Sequence, residues 1–226
     1  FLGGPLLILM GLSGLWAGEK WIPNPTMHLL GVTWVIISMK ILYGFALDVH
    51  HWGWRDASPL GADLSLGVFL LVLIGFNILI AQRHDDDAIA AQATLVLLAL
   101  GSATGALYDE LGVAGMILLG TLSMHGLALH RKSGNLASLG IAVSYLWIGL
   151  HAFSNDWTIV SIEIVSFDDD LLLFMLMFAV TATNAVMATQ FHKADNWFSA
   201  AAKALGLGKP GLWAISVGLG MVGALL

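Results

Sequence analysis

Long uncharged runs of apolar residues recur along the whole chain, and short polar segments separate them. A helix that crosses the hydrocarbon core of a bilayer needs about 20 predominantly apolar residues. The pattern predicts an all-α fold, a polytopic transmembrane helical bundle that forms a single membrane domain. We expect about eight spans, near residues 1–18, 27–48, 60–82, 88–108, 111–129, 136–153, 171–191 and 211–226.

Composition supports lipid as the main solvent of this chain. Hydrophobic residues make up 58% of the 226 residues and charged residues 11%, whereas soluble domains carry about 25% charged residues. There is no cysteine, which excludes disulfides and thiolate chemistry. The net charge of −6 and the scattered cations exclude a nucleic-acid surface. Because the chain starts at Phe1 and ends in an apolar run, we expect it to be the ordered part of a longer protein, or a processed one.

The distribution of basic residues predicts how the spans are oriented. Short cytoplasmic loops of membrane proteins collect Lys and Arg. We number the loops between successive spans from the N-terminus. Of the cations outside the spans, only Arg55 lies in an even-numbered loop. We therefore predict that both chain termini lie on the non-cytoplasmic side of a prokaryotic cytoplasmic membrane. The odd-numbered, cytoplasmic loops hold Lys20, Arg83, Arg131, Lys132, Lys193, Lys203 and Lys209.

Two further segments are too short or too polar to cross a bilayer. Residues 157–167 alternate polar and apolar side chains, which indicates an outer interfacial segment formed by a strand, a short helix or a re-entrant piece. Residues 196–207 carry Trp197, Phe198 and Lys203 among alanines, which is typical of an interfacial helix. The orientation of the spans places this helix on the cytoplasmic face.

A few polar residues at depth form a candidate path across the membrane. Lys40 lies near the middle of the second span, where an ionisable group costs about 3 kcal/mol and is a functional candidate. The alternative is that its long side chain extends outward to the interface. Tyr43 follows three residues later on the same helix face. The path consists of Lys40, Tyr43, Asn77, His125 and Asn184.

The outer face is the second candidate site. Histidines and carboxylates lie at this level, and together they can bind a divalent metal or transfer protons. A solvated loop in the aromatic belt explains the same residues without a site. The candidate residues are His50, His51, Asp109, Glu110 and His151.

Three functions follow from these observations. The first is a permease or channel-like protein for a small solute, and the second is a membrane enzyme with a His and carboxylate site at the outer interface. The third is a non-catalytic structural subunit of a membrane complex. We expect the lipid bilayer to be one partner, and other membrane subunits or a second copy of this chain to be another. The small-residue pairs Gly14/Gly18 and Gly101/Gly105 would allow close helix contact.

Overall fold

A computed structural model describes residues 3–49, 59–105, 110–154, 157–159, 162–209 and 211–224. In this part of the chain the fold is a set of helices with one short hairpin. The elements are α1 (Gly3–Trp21), α2 (His28–Val49), α3 (Pro59–His84), α4 (Asp87–Gly105), α5 (Glu110–Arg131), α6 (Gly134–Ala152), β1 (Trp157–Ile159), β2 (Ile162–Ile164), α7 (Asp170–Gln190), α8 (Trp197–Ala204) and α9 (Leu212–Ala224).

The chain has the length and composition of an integral membrane protein. Among the described residues, four helices are long and apolar enough to cross a bilayer: His28–Ala46 within α2, and α5, α6 and α7. Shorter apolar helical stretches occur at Val68–His84, Asp87–Val96 and Leu212–Gly223. The number of eight crossings and the side on which the termini lie remain predictions.

Short polar side chains begin several of these helices. The Asp86 carboxylate accepts hydrogen bonds from the backbone N–H groups of Ala88 and Ile89 at the start of α4. Asp169 does the same at the start of α7, with distances of 2.9 and 3.1 Å. Such caps satisfy N–H groups that have no partner within the helix, and the negative charge complements the helix dipole.

The segment after α6 folds into an antiparallel hairpin, which is the strand alternative for residues 157–167. Trp157 pairs with Ile164 and Ile159 with Ile162. The interfacial helix expected within residues 196–207 corresponds to α8, which begins after the capping residue Asn196.

Contacts divide the chain into two compact units, Phe1–Ala93 and Thr94–Leu226, with the boundary inside α4. In the first unit, α1 lies against α2 through small residues. A Cβ added to Gly18 would lie 2.9 Å from the carbonyl oxygen of Gly31, so the two backbones touch there. The predicted contact face of Gly14 and Gly18 is therefore occupied within the chain. The side-chain surroundings of Gly101 and Gly105 lie outside the described residues.

In the second unit, α6 is the central helix and packs against α5, α7, α8 and α9. Its residues are buried around most of its circumference. An apolar core cluster joins α5, α6 and α7 near one end of the bundle. Its buried members are Val113, Ala114, Ile117, Ile148, Leu176 and Val180.

Candidate functional site

A chain of buried polar side chains links α5, α6 and α7 inside the apolar second unit. His125 Nε2 lies 2.7 Å from Asn184 Oδ1, and Asn184 Nδ2 donates to Ser144 Oγ at 3.0 Å. Ser144 in turn donates to the backbone carbonyl of Ile141. Ser144 lies about 15 Å along α6 from Gly134, close to the middle of the helix. The chain thus joins His125 and Asn184, two residues of the predicted path, through groups that lie away from the ends of the three helices.

The direction of these hydrogen bonds defines the state of the His125 ring. Because Asn184 Oδ1 is an acceptor, Nε2 carries the proton and Nδ1 of the neutral ring is an acceptor. His125 is 4% exposed, and its Nδ1 has no hydrogen-bond partner among the described residues. Gly140 lies beside this nitrogen, and a Cβ added there would lie 3.1 Å from Nδ1 and from Met124 Sδ.

This arrangement does not activate Ser144 as a nucleophile. A serine nucleophile needs a base within hydrogen-bond reach of its hydroxyl. Asn184 lies between Ser144 and His125, and an amide does not accept a proton at neutral pH. The chain can hold and orient a hydrogen-bonding group, but its geometry does not support acyl transfer.

A second polar contact lies one residue further along α6. The Tyr145 hydroxyl donates to the Ser216 carbonyl at 3.0 Å and lies within hydrogen-bond distance of the Thr181 hydroxyl at 3.2 Å, which connects α6 with α7 and α9. Ser216 Oγ is buried without a hydrogen-bond partner among the described residues. Thr181 and Asn184, which share one face of α7, thus bind two different partners on α6.

At the end of the second unit where α7 begins, the predicted outer residues have structural partners. His151 is fully buried, and its Nδ1 donates to the Val165 carbonyl at 2.8 Å. Its ring lies edge-on to Phe167. The Glu110 carboxylate accepts a hydrogen bond from the backbone N–H of Asp169 at 3.1 Å. These contacts hold the segment that precedes α7 against α5 and α6.

The remaining outer residues, His50, His51 and Asp109, lie outside the described residues. Within the described part of the chain, no group of three or more His, Asp or Glu side chains could hold a metal ion. A divalent metal at the outer face therefore stays a prediction about residues that the structure does not describe.

The first unit contains the other half of the predicted path. Lys40 is exposed, so its ammonium does not bind Tyr43. Tyr43 is buried beside Asn77, without hydrogen-bond geometry between them. Asn77 Nδ2 donates to Gln92 Oε1, while Tyr43 Oη and Asn77 Oδ1 have no hydrogen-bond partner among the described residues. Tyr43 and Asn77 therefore lie side by side as two buried polar residues, and the Lys40 ammonium does not bind to either of them.

A cluster of charged groups in the first unit was not predicted as a site. It forms where α1 and α3 end and α2 and α4 begin. Glu19 lies 3.3 Å from Arg83 and 3.5 Å from His84, and His28 Nε2 lies 3.3 Å from Asp86. The His84 contact lacks hydrogen-bond geometry and is electrostatic. The loop charges indicated a common face for these residues, but not which ones would pair.

Next to α8, Lys209 binds Asp195 at 2.6 Å. The hydrogen bond and the positive charge of Lys209 hold the pKa of Asp195 below its usual value. The stabilisation from this pair is present above the ordinary pKa of aspartate and is lost as the pH falls through the depressed one. Because both side chains are exposed, its contribution is small.

No protein family, no curated protein and no solved structure matches this chain.

Proposed function

We propose that the protein is a membrane permease for a small neutral solute and that the His125–Asn184–Ser144 chain forms the selective part of its path. The observation that supports this proposal is the His125 acceptor nitrogen Nδ1, which is buried within an apolar bundle and has no hydrogen-bond partner among the described residues. A buried polar group without a hydrogen bond costs about 1–3 kcal/mol. Polar groups retained at such depth in membrane proteins are functional candidates, because hydrocarbon opposes them.

The chemistry of the chain favours a neutral, hydrogen-bonding solute over an ion. Imidazole, amide and hydroxyl groups offer donors and acceptors without net charge. In the described spans α5, α6 and α7, the Asp, Glu, Lys and Arg side chains lie only at the helix ends. An ion at the level of His125 would have no counter-charge to offset the cost of its desolvation.

Tyr43 and Asn77 support the same proposal in the first unit. Their open hydroxyl and carbonyl oxygens are again neutral groups, buried in an apolar helix pair. Lys40 is removed from the proposed path, because its side chain is exposed.

Solute flux into liposomes tests the proposal. Purified protein is reconstituted, and osmotic swelling is followed by stopped-flow light scattering with urea and with glycerol. His125→Leu removes the acceptor and the donor, so we expect solute permeability to fall about tenfold, the factor that corresponds to 1.4 kcal/mol. His130→Leu is the matched control, because His130 is exposed at the end of the same helix.

Equal permeability of the His125→Leu variant and the wild type would contradict the role of His125. Wild-type permeability no higher than that of protein-free liposomes, for both solutes, would contradict the permease itself. Monodisperse elution of each variant in detergent, with an unchanged helical spectrum, separates loss of transport from loss of folding.

A second function, that of a subunit in a larger membrane complex, is favoured by Lys40. Its ammonium lies on an exposed face of α2 that also carries Trp34 and Ile37. An unpaired charge near the middle of a span costs about 3 kcal/mol, and a carboxylate from a neighbouring protein helix would offset this cost. Absence of flux from the isolated chain is the result expected for such a subunit.

A further inference from the structure

A groove on the surface of the second unit has dimensions and charge that suit a lipid. It lies between α7 and α9 and has a volume of about 420 Å³, which is within the range of small-molecule sites. The α7 residues that line it follow helical spacing along one face. The lining consists of Asp170, Leu173, Phe174, Met177, Phe178 and Thr181 on α7, and Gly220 and Gly223 on α9.

The length of the groove matches one leaflet of a bilayer. Asp170 and Thr181 are eleven residues apart, which corresponds to about 16 Å along a helix. The hydrocarbon core of a bilayer is about 30 Å thick, so the groove extends from the helix end to about mid-membrane. An acyl chain that enters at Asp170 would end near Thr181.

The walls of the groove are suited to a hydrocarbon chain. Phe174 and Phe178 are more than 60% exposed, although they are among the largest apolar side chains of α7. At the deep end, the Thr181 hydroxyl is already bound to Tyr145. On the opposite side, Gly220 and Gly223 let α9 pack closely against the Thr181 and Met177 side chains, so the open surface lies along Phe174 and Phe178. A flexible apolar chain can occupy this surface without leaving a buried polar group unpaired.

The polar end of the groove carries negative charge. Asp170 lines the groove, and the adjacent Asp168 and Asp169 are exposed. Asp169 already accepts two backbone hydrogen bonds, whereas Asp170 faces the groove. A lipid whose only headgroup charge is a phosphate would meet repulsion here, and an ammonium group would be attracted.

We propose that this groove binds a phospholipid with a primary amine in its headgroup. One acyl chain lies along Phe174, Met177 and Phe178, and the ammonium group pairs with the Asp170 carboxylate. This site is separate from the His125 chain and does not depend on the permease function.

Competition between two lipids with identical acyl chains tests the headgroup assignment. The full chain is purified in detergent and titrated with equal amounts of dioleoyl phosphatidylethanolamine and dioleoyl phosphatidylglycerol, and the lipid retained is counted by native mass spectrometry. We expect the wild type to prefer the ethanolamine lipid by about fivefold, the effect of one charge at a membrane surface. Asp170→Asn should reduce this ratio to about one. Asp168→Asn, which changes a neighbouring charge outside the groove lining, should lower the ratio much less than Asp170→Asn does.

A second pair of variants tests the position of the acyl chain. Leu173→Trp fills the groove and should lower the retention of both lipids severalfold, while Leu171→Trp, on the exposed face outside the lining, should leave retention unchanged. The proposal is overturned if the wild type shows no headgroup preference or if Asp170→Asn retains it. Unchanged lipid retention by a folded Leu173→Trp variant would overturn the assignment to this groove.

Discussion

At the level of single residues, the position of the His125 ring depends on Gly140. The imidazole is fixed by its bond to Asn184, and Gly140 on α6 leaves just enough space for the Nδ1 side of the ring. Any side chain at position 140 must displace the ring or Met124. The open acceptor of His125 therefore depends on a glycine in a helix where alanine would otherwise be more stable.

A comparison of two glycines on α6 tests this dependence. Gly140→Ala should lower the free energy of unfolding by up to about 2 kcal/mol, because the usual overpacking cost of about 1–3 kcal/mol is partly offset by about 1 kcal/mol of helix propensity. Gly149→Ala has no neighbour within 4 Å of the added Cβ and should be neutral or stabilising by up to about 1 kcal/mol. Unfolding in one detergent, followed by circular dichroism, gives both values. Equal effects of the two substitutions would show that the ring is free to move.

Some of these contacts between residues could be predicted from the positions of the residues within apolar spans, and others could not. His125 and Asn184 were predicted to belong to one path, because both are polar residues at depth in apolar spans. Ser144 was not predicted, since a single serine within an apolar helix can bond to its own backbone and gives no distinctive signal. The contact of His28 with Asp86 joins residues from separate helix ends, and no local pattern indicates such a pair.

At the level of elements, α1 and α2 form the closest helix pair in the first unit. Glycine at positions 14 and 18 lets α1 approach the backbone of α2 near Gly31 and the side chain of Ser38. The spacing of small residues predicted a close helix contact, but it did not identify the partner. The sequence also did not show which way the Lys40 side chain points, because α2 is apolar around its whole circumference and has no distinct polar face.

Engineered cysteines test the α1 and α2 contact, because the chain has no cysteine of its own. A Cβ built on Gly14 lies 3.4 Å from Ser38 Cβ, close to the spacing of about 3.5–4.5 Å in disulfides. The Gly14→Cys/Ser38→Cys variant should therefore form a disulfide in membranes after mild oxidation, detected as a fragment pair that stays linked after proteolysis. Gly14→Cys/Gly44→Cys is the control, since Gly44 has no neighbour within 4 Å. A disulfide in the control variant but not in the Gly14→Cys/Ser38→Cys variant would contradict the packing of α1 against α2.

At the level of the whole molecule, the ends of several helices meet within each unit. In the first unit, the ends of α1 and α3 meet the beginnings of α2 and α4 through Glu19, Arg83 and Asp86. In the second unit, Gly134 at the start of α6 lies against Asp195, which follows α7. Consecutive helices that run in alternate directions produce such contacts. That all of the predicted spans alternate across a membrane stays a prediction from hydropathy and charge, and the division into two units had no signal in composition.

We propose that the chain crosses the membrane and that the His125 site lies within the lipid layer. The most direct test places single cysteines on either side of α7, at Asp168→Cys and Asp195→Cys, in an otherwise cysteine-free chain. Intact cells are treated with a membrane-impermeant maleimide before and after permeabilisation. We predict that Asp168→Cys reacts in intact cells and Asp195→Cys only after permeabilisation. Reaction of both cysteines from the same side would show that α7 does not cross the membrane and would contradict the account.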